Sequence, residues 1–125
     1  MTVDPRIMLP AVTSILAFAM VALGHAETSQ FSPLQYLINT LNSKAYRDVA
    51  IAFLTELTRD PEVRQAIYPV LTTATRDEKT GISVVLARSG DRDSEPYLET
   101  LVKDSDSEVM QEGTRSLRTL RYRVR

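Results

Sequence analysis

Residues 97–120 read Y-L-E-T-L-V-K-D-S-D-S-E-V-M-Q-E-G-T-R-S-L-R-T-L. Two apolar stripes at helical spacing flank a turn rich in Asp and Ser. Leu98, Leu101 and Val102 share one face of the first stripe, and Val109, Gly113, Leu117 and Leu120 align along the second. Asp and Ser ahead of an apolar-periodic run are helix N-cap residues, so the stretch predicts helix, tight turn, helix. Whether that unit recurs decides the fold.

It does recur. The spacing predicts helices over 32–41, 44–58, 61–75, 77–89, 94–103 and 107–122. The first opens with Ser32 as N-cap and Pro33 at the first helical position, and its inward residues are Leu34, Leu37, Ile38 and Leu41. The second carries Tyr46, Val49, Ala50, Phe53, Leu54 and Leu57. Asp60 caps the third, whose stripe is Val63, Ala66, Ile67, Val70, Leu71 and Ala74, and Pro69 should kink or shorten it. The fourth places Ile82, Val85 and Leu86 inside and stops at Gly90. No apolar–polar alternation persists and no Asn-Gly or Asp-Gly turn occurs, so strands are not expected. The class is all-α. Short loops predict that sequence neighbours pack roughly antiparallel.

A period of 31–32 residues relates the second, fourth and sixth helices. Ala50, Ile82 and Gly113 correspond, as do Leu54, Leu86 and Leu117, and Leu57, Ser89 and Leu120. Two helices per unit at this period are the mark of a short α-solenoid, here of about three helical hairpins.

The chain resembles the HEAT-repeat family in its short bacterial form. The resemblance lies in Tyr97–Asp104, Ser105–Val109, Gly113 and Ser116–Leu120, with 85–91 similar to the end of one repeat. Asp60-Pro61-Glu62-Val63-Arg64-Gln65-Ala66-Ile67 is similar to the opening of a second helix, whereas the period makes this segment the first of its pair. The resemblance implies a right-handed, armadillo-type α-solenoid that serves as a scaffold or protein-binding surface.

Upstream, residues 7–24 form an uncharged apolar run between Arg6 and Gly24-His25-Ala26. A basic residue, an apolar stretch and small residues at the third-last and last positions describe a secretory signal peptide cut after Ala26. This divides the chain into a leader, 1–26, and a helical-repeat domain, 27–125, exported to the periplasm or secreted. Two alternatives stay open. The run can be retained as a membrane anchor, although it is slightly short and contains Pro10, or it can be an N-terminal apolar helix buried in a cytoplasmic protein.

Composition narrows function by exclusion. The 125 residues include no Cys, no Trp and one His, His25, within the predicted leader. Thiolate chemistry, Cys/His zinc sites and histidine-based triads are therefore absent from the domain, and no glycine-rich phosphate loop occurs. No catalytic residue, cofactor or metal site is expected. The clusters Asp91-Arg92-Asp93-Ser94-Glu95 and Asp104-Ser105-Asp106-Ser107-Glu108 lack the Gly and Glu of a calcium loop and are expected to cap the fifth and sixth helices.

Charge is segregated near the C-terminus. Residues 91–112 hold eight acids and two bases, and residues 113–125 hold five arginines and no acid, within a chain of net charge -1. Arg118, Arg121 and Arg125 can share a helical face. These, with Arg115, Tyr97 and Tyr122, are the candidate partner-binding residues, for a protein partner or, with the apolar N-terminus, a membrane surface. The plainer alternative is that the arginines complement the helix dipole and pair with acids upstream, and that the tyrosines pack at the rim. Nucleic acid is not an expected partner, since only Tyr122 interrupts the arginines.

Overall fold

The computed structural model describes residues 32–125; the predicted leader or apolar helix lies outside them. The described chain contains six α-helices and no strand: α1 (Pro33–Thr40), α2 (Arg47–Leu57), α3 (Pro61–Ile67), α4 (Arg76–Ser89), α5 (Glu95–Val102) and α6 (Ser107–Val124). Two 3-10 helices, Tyr68–Thr72 and Arg92–Ser94, follow α3 and precede α5. None of these helices is long and apolar enough to cross a membrane. The chain divides into two units between Leu37 and Ile38, inside α1, and the packing that positions the site belongs to the second, Ile38–Arg125.

Local chemistry explains most boundaries. Ser32 accepts from the Gln35 N–H at the start of α1, as the sequence predicts. Asp60 accepts from Glu62 and is followed by Pro61 at the first turn of α3. Pro69 has no N–H to give to a carbonyl four residues back, and there the chain tightens from α to 3-10 geometry. Thr75 and Glu78 form a reciprocal capping box that starts α4, a signal the sequence reading did not use. Asp106 accepts from Glu108 and Val109 at the head of α6.

One expected boundary holds and one is corrected. Gly90 ends α4, as the sequence predicts, and does so in an extended conformation, φ -73° and ψ 177°. Glycine is needed there because a Cβ would collide with Ser94 Oγ and the Leu86 carbonyl. Ser94, the expected cap of the fifth helix, makes no capping bond to α5; its side chain is buried and bonded elsewhere.

α2 packs on α4, α4 on α6, and α5 on α6. Close packing of sequence neighbours thus holds for α5 and α6, whereas α4 packs most extensively on helices two elements away on either side. The core contains Ala50, Leu54, Ile82, Leu86, Val109, Leu117 and Leu120. Two of the three sets related by the 31–32 residue period, Ala50/Ile82/Gly113 and Leu54/Leu86/Leu117, are buried throughout; in the third, Ser89 and Leu120 are buried but Leu57 is only partly so. α2 is rotated from expectation: Tyr46 is 61% and Val49 42% exposed, while Ile51, Thr55 and Thr58 are buried. Both threonines satisfy their hydroxyls on carbonyls four residues back, Thr55 on Ile51 and Thr58 on Leu54, which makes them tolerable core residues. Ala66 is likewise exposed, because α3 turns Arg64 and Ile67 inward instead.

Candidate functional site

α6 carries an open groove of about 630 Å³, lined by its own residues and Val102 of α5 and by none of α4. Its apolar floor is Val102 and Leu117, with Thr114 at one end; Arg118, Arg121, Tyr122 and Arg125 form the walls. These residues come together because steps of three and four along 114, 118, 121, 122 and 125 keep to one helical face. Gly113 brings α6 against α5: a Cβ there would stand 3.1 Å from the Leu101 carbonyl carbon and the Val102 nitrogen.

The arginines differ in their partners. Arg121 reaches Glu95 at 3.0 Å and Glu99 at 2.6 Å, both on α5. Arg125 lies 5.0 Å from the ring centroid of Tyr122, which is 75% exposed. Among the described residues neither Arg118 nor Arg125 has a carboxylate partner. The groove is therefore cationic with an apolar floor.

The other two candidates lie apart. Arg115 pairs with Glu112 at 2.7 Å and lines a separate polar groove with Arg47, Asp77, Thr80 and Glu108. Tyr97 stacks on Tyr68, centroids 3.8 Å apart and rings 7° from parallel, and does not border the α6 groove. The structure thus brings together Arg118, Arg121, Tyr122 and Arg125 and leaves Arg115 and Tyr97 outside.

Sequence reasoning missed a buried polar latch. Arg64, only 5% exposed, donates through Nε and Nη2 to both Asp93 oxygens at 3.0 and 3.1 Å, and through Nη1 to the Thr58 carbonyl at 2.8 Å. The Tyr68 hydroxyl donates to Asp93 at 2.6 Å. Its single proton is thereby used, so Ser94 donates to the Tyr68 oxygen at 2.7 Å while accepting from the Asp91 N–H. Burial, and then the bond to Asp93, push the Tyr68 hydroxyl up to about 12. Burial pushes the Asp93 carboxyl up, but the bonds from Arg64 and Tyr68 outweigh it and hold it below its ordinary value. The hydrogen bond to Asp93 raises Arg64 further. The latch ties α3 to the segment opening α5. Its sequence signal is an arginine four residues after the Asp60 cap and an aspartate 29 residues beyond it.

The two acidic clusters are committed to structure. Asp104 accepts from Lys79 and Asp106 from Arg76, each at 2.8 Å, and these bonds lower both carboxyls. Among the described residues no group of three or more His, Cys, Asp or Glu is arranged to hold a metal ion. A third groove, near Arg59 and Asp91, also has its arginines engaged: Arg92 donates to the Val124 carbonyl, and Arg123 to the Ala87 and Gly90 carbonyls at the end of α4. Comparison with protein-family models, curated proteins and solved structures finds no match for this chain.

Proposed function

We propose that residues 27–125 form a short right-handed α-solenoid of HEAT type, about three helical hairpins, acting as a non-catalytic protein-binding scaffold or adaptor of the cell envelope. The observation that carries this is the side-by-side packing of α2, α4 and α6, with residues one period apart buried in each. Repeats that cover one another's apolar faces leave long lateral surfaces for partners. The cationic groove on α6 is such a surface, with an exposed tyrosine and arginines of the kind that dominate protein interfaces. A domain with neither Cys nor His has few means of catalysis, which favours binding as its activity.

A photo-crosslinking residue at Tyr122, in the full chain expressed in its own cells, tests the reading. A discrete protein adduct is expected at Tyr122 or, with the probe moved, at the Arg115 groove. Absence of adducts at both surfaces, or turnover of a substrate by the purified protein, overturns it. The export proposal has its own measurement. A mature N-terminus at Glu27 supports a cleaved leader; an intact chain that partitions into membranes favours the anchored alternative, and an intact soluble chain favours an accessory subunit of a cytoplasmic enzyme complex.

A further inference from the structure

The 31–32 residue period can be applied to the surface of α6 as well as to the core. One period before Thr114, Leu117, Arg118 and Arg121 come Ser83, Leu86, Ala87 and Gly90 on α4, and one period earlier Ile51, Leu54, Thr55 and Thr58 on α2. All four α2 residues are buried, and Thr58 bonds to Ser89 of α4 at 2.6 Å. All four α4 residues are buried, and Arg123 of α6 reaches the Ala87 and Gly90 carbonyls. The corresponding positions are thus buried twice in succession, in an array where α4 packs on α2 and α6 on α4. On α6 they line the open groove, and the two positions that hold Thr55 and Thr58, then Ala87 and Gly90, hold Arg118 and Arg121.

From this equivalence we infer that the α6 groove binds an acidic amphipathic helix of a partner protein, seated as α4 seats on α2 and α6 on α4; the inference rests on the scaffold reading above and names the partner's chemistry. Leu117 and Val102 take the apolar stripe of the incoming helix. Carboxylates flanking that stripe meet Arg118 and Arg125, which have none among the described residues. An apolar floor between arginine walls fits a helix with one narrow apolar stripe better than the plane of lipid headgroups.

The probe is a fluorescein-labelled amphipathic helical peptide with a Leu stripe flanked by Glu, its anisotropy measured against the full-length protein. The Glu peptide is expected to bind and to weaken as salt rises, while its Lys counterpart does not bind. Arg118→Glu with Arg125→Glu should weaken the Glu peptide by about tenfold or more and confer binding of the Lys peptide. Arg88→Glu, an exposed charge outside the groove, should change neither. Equal affinity for both peptides, no loss in the double variant, binding only to anionic phosphatidylserine vesicles, or self-association that occupies the groove each overturns the inference. If the Glu peptide fails while crosslinking at Tyr122 or the Arg115 groove still yields a protein adduct, the acidic helix is refuted and the scaffold reading stands.

Discussion

Leu54, Leu86 and Leu117 occupy corresponding positions one period apart, yet the structure predicts that replacing them by Ala has unequal cost. The first two are 0% exposed, and Leu117 is 8% exposed on the floor of an open groove. Each substitution removes three carbons, worth about 2.4 kcal/mol in transfer at ~0.8 kcal/mol each. At Leu54 and Leu86 the surrounding helices also leave a cavity that packing relaxes only in part, bringing the loss to about 3–5 kcal/mol. At Leu117 the space opens to solvent and the cavity contribution falls away, so the loss is about 2 kcal/mol. Urea denaturation of the full chain, followed by helical circular dichroism, measures all three, provided the slope with denaturant stays constant. A loss of 3–5 kcal/mol is a large part of a small domain's stability. Leu86→Met, which conserves volume and should cost less than about 1.5 kcal/mol, controls for simple failure to fold. Equal losses at Leu86 and Leu117 would refute the claim that the outer face of α6 is open, and a loss at Leu86 under about 1 kcal/mol would refute the packing of α4 between α2 and α6.

The latch offers a second test: Asp93→Asn leaves the buried Arg64 charge without its counter-ion. The loss should fall near the low end of ~3–5 kcal/mol because the Asp93 side chain is 32% exposed, as denaturation would measure. Tyr68→Phe keeps the ion pair and should cost about 1–2 kcal/mol. The hydroxyl of Tyr68 titrates near 12 when folded and near 10 when unfolded, so its contribution is complete below pH 10 and is lost as pH rises to 12. Between those limits stability should fall by about 2–3 kcal/mol in the parent, and this component should vanish in Tyr68→Phe. Asp93, Asp104 and Asp106 are lowered, so their contributions are present above the unfolded carboxyl range near 4 and are lost as pH falls below it; an acid-unfolding midpoint raised in Asp93→Asn would check this. Finally, Gly113→Val brings a side chain against the α5 backbone, which cannot swing aside, and should cost about 1–3 kcal/mol by the same denaturation measurement.

The all-α class, helix positions and recurring buried leucines were legible in the sequence because periodicity and capping chemistry are local signals. The phase of α2 was not. A hydropathy stripe ranks Val49 above Thr55, and only the bond from Thr55 to the Ile51 carbonyl makes the threonine a core residue. The latch was illegible for a related reason. Arg64 reads as a solvated charge until the fold brings Asp93, 29 residues away, within 3.0 Å of it. Ser94 reads as a helix cap until Tyr68 takes its hydroxyl. For Arg64 and Ser94 a long-range hydrogen bond, and for Thr55 a bond to the backbone four residues back, changes the environment that the residue type suggests.

The arginine-rich end shows the same limit in the candidate site. Two alternatives, partner binding and internal neutralisation, each describe some of its residues. Arg115 is neutralised by Glu112, and Arg123 caps the carbonyls ending α4. Arg118 and Arg125 meet no carboxylate among the described residues. Arg121 belongs to both groups. It is paired with Glu95 and Glu99, but its side chain is 52% exposed, and ion pairs in such surroundings contribute only about 0–1 kcal/mol. In the proposed complex an incoming carboxylate would exchange for Glu95 or Glu99, and Arg121 would then add to the charge the partner meets. Arg121→Gln should therefore alter folding stability by less than about 1 kcal/mol while weakening an acidic ligand measurably; a large stability loss with unchanged binding would assign Arg121 to the fold alone.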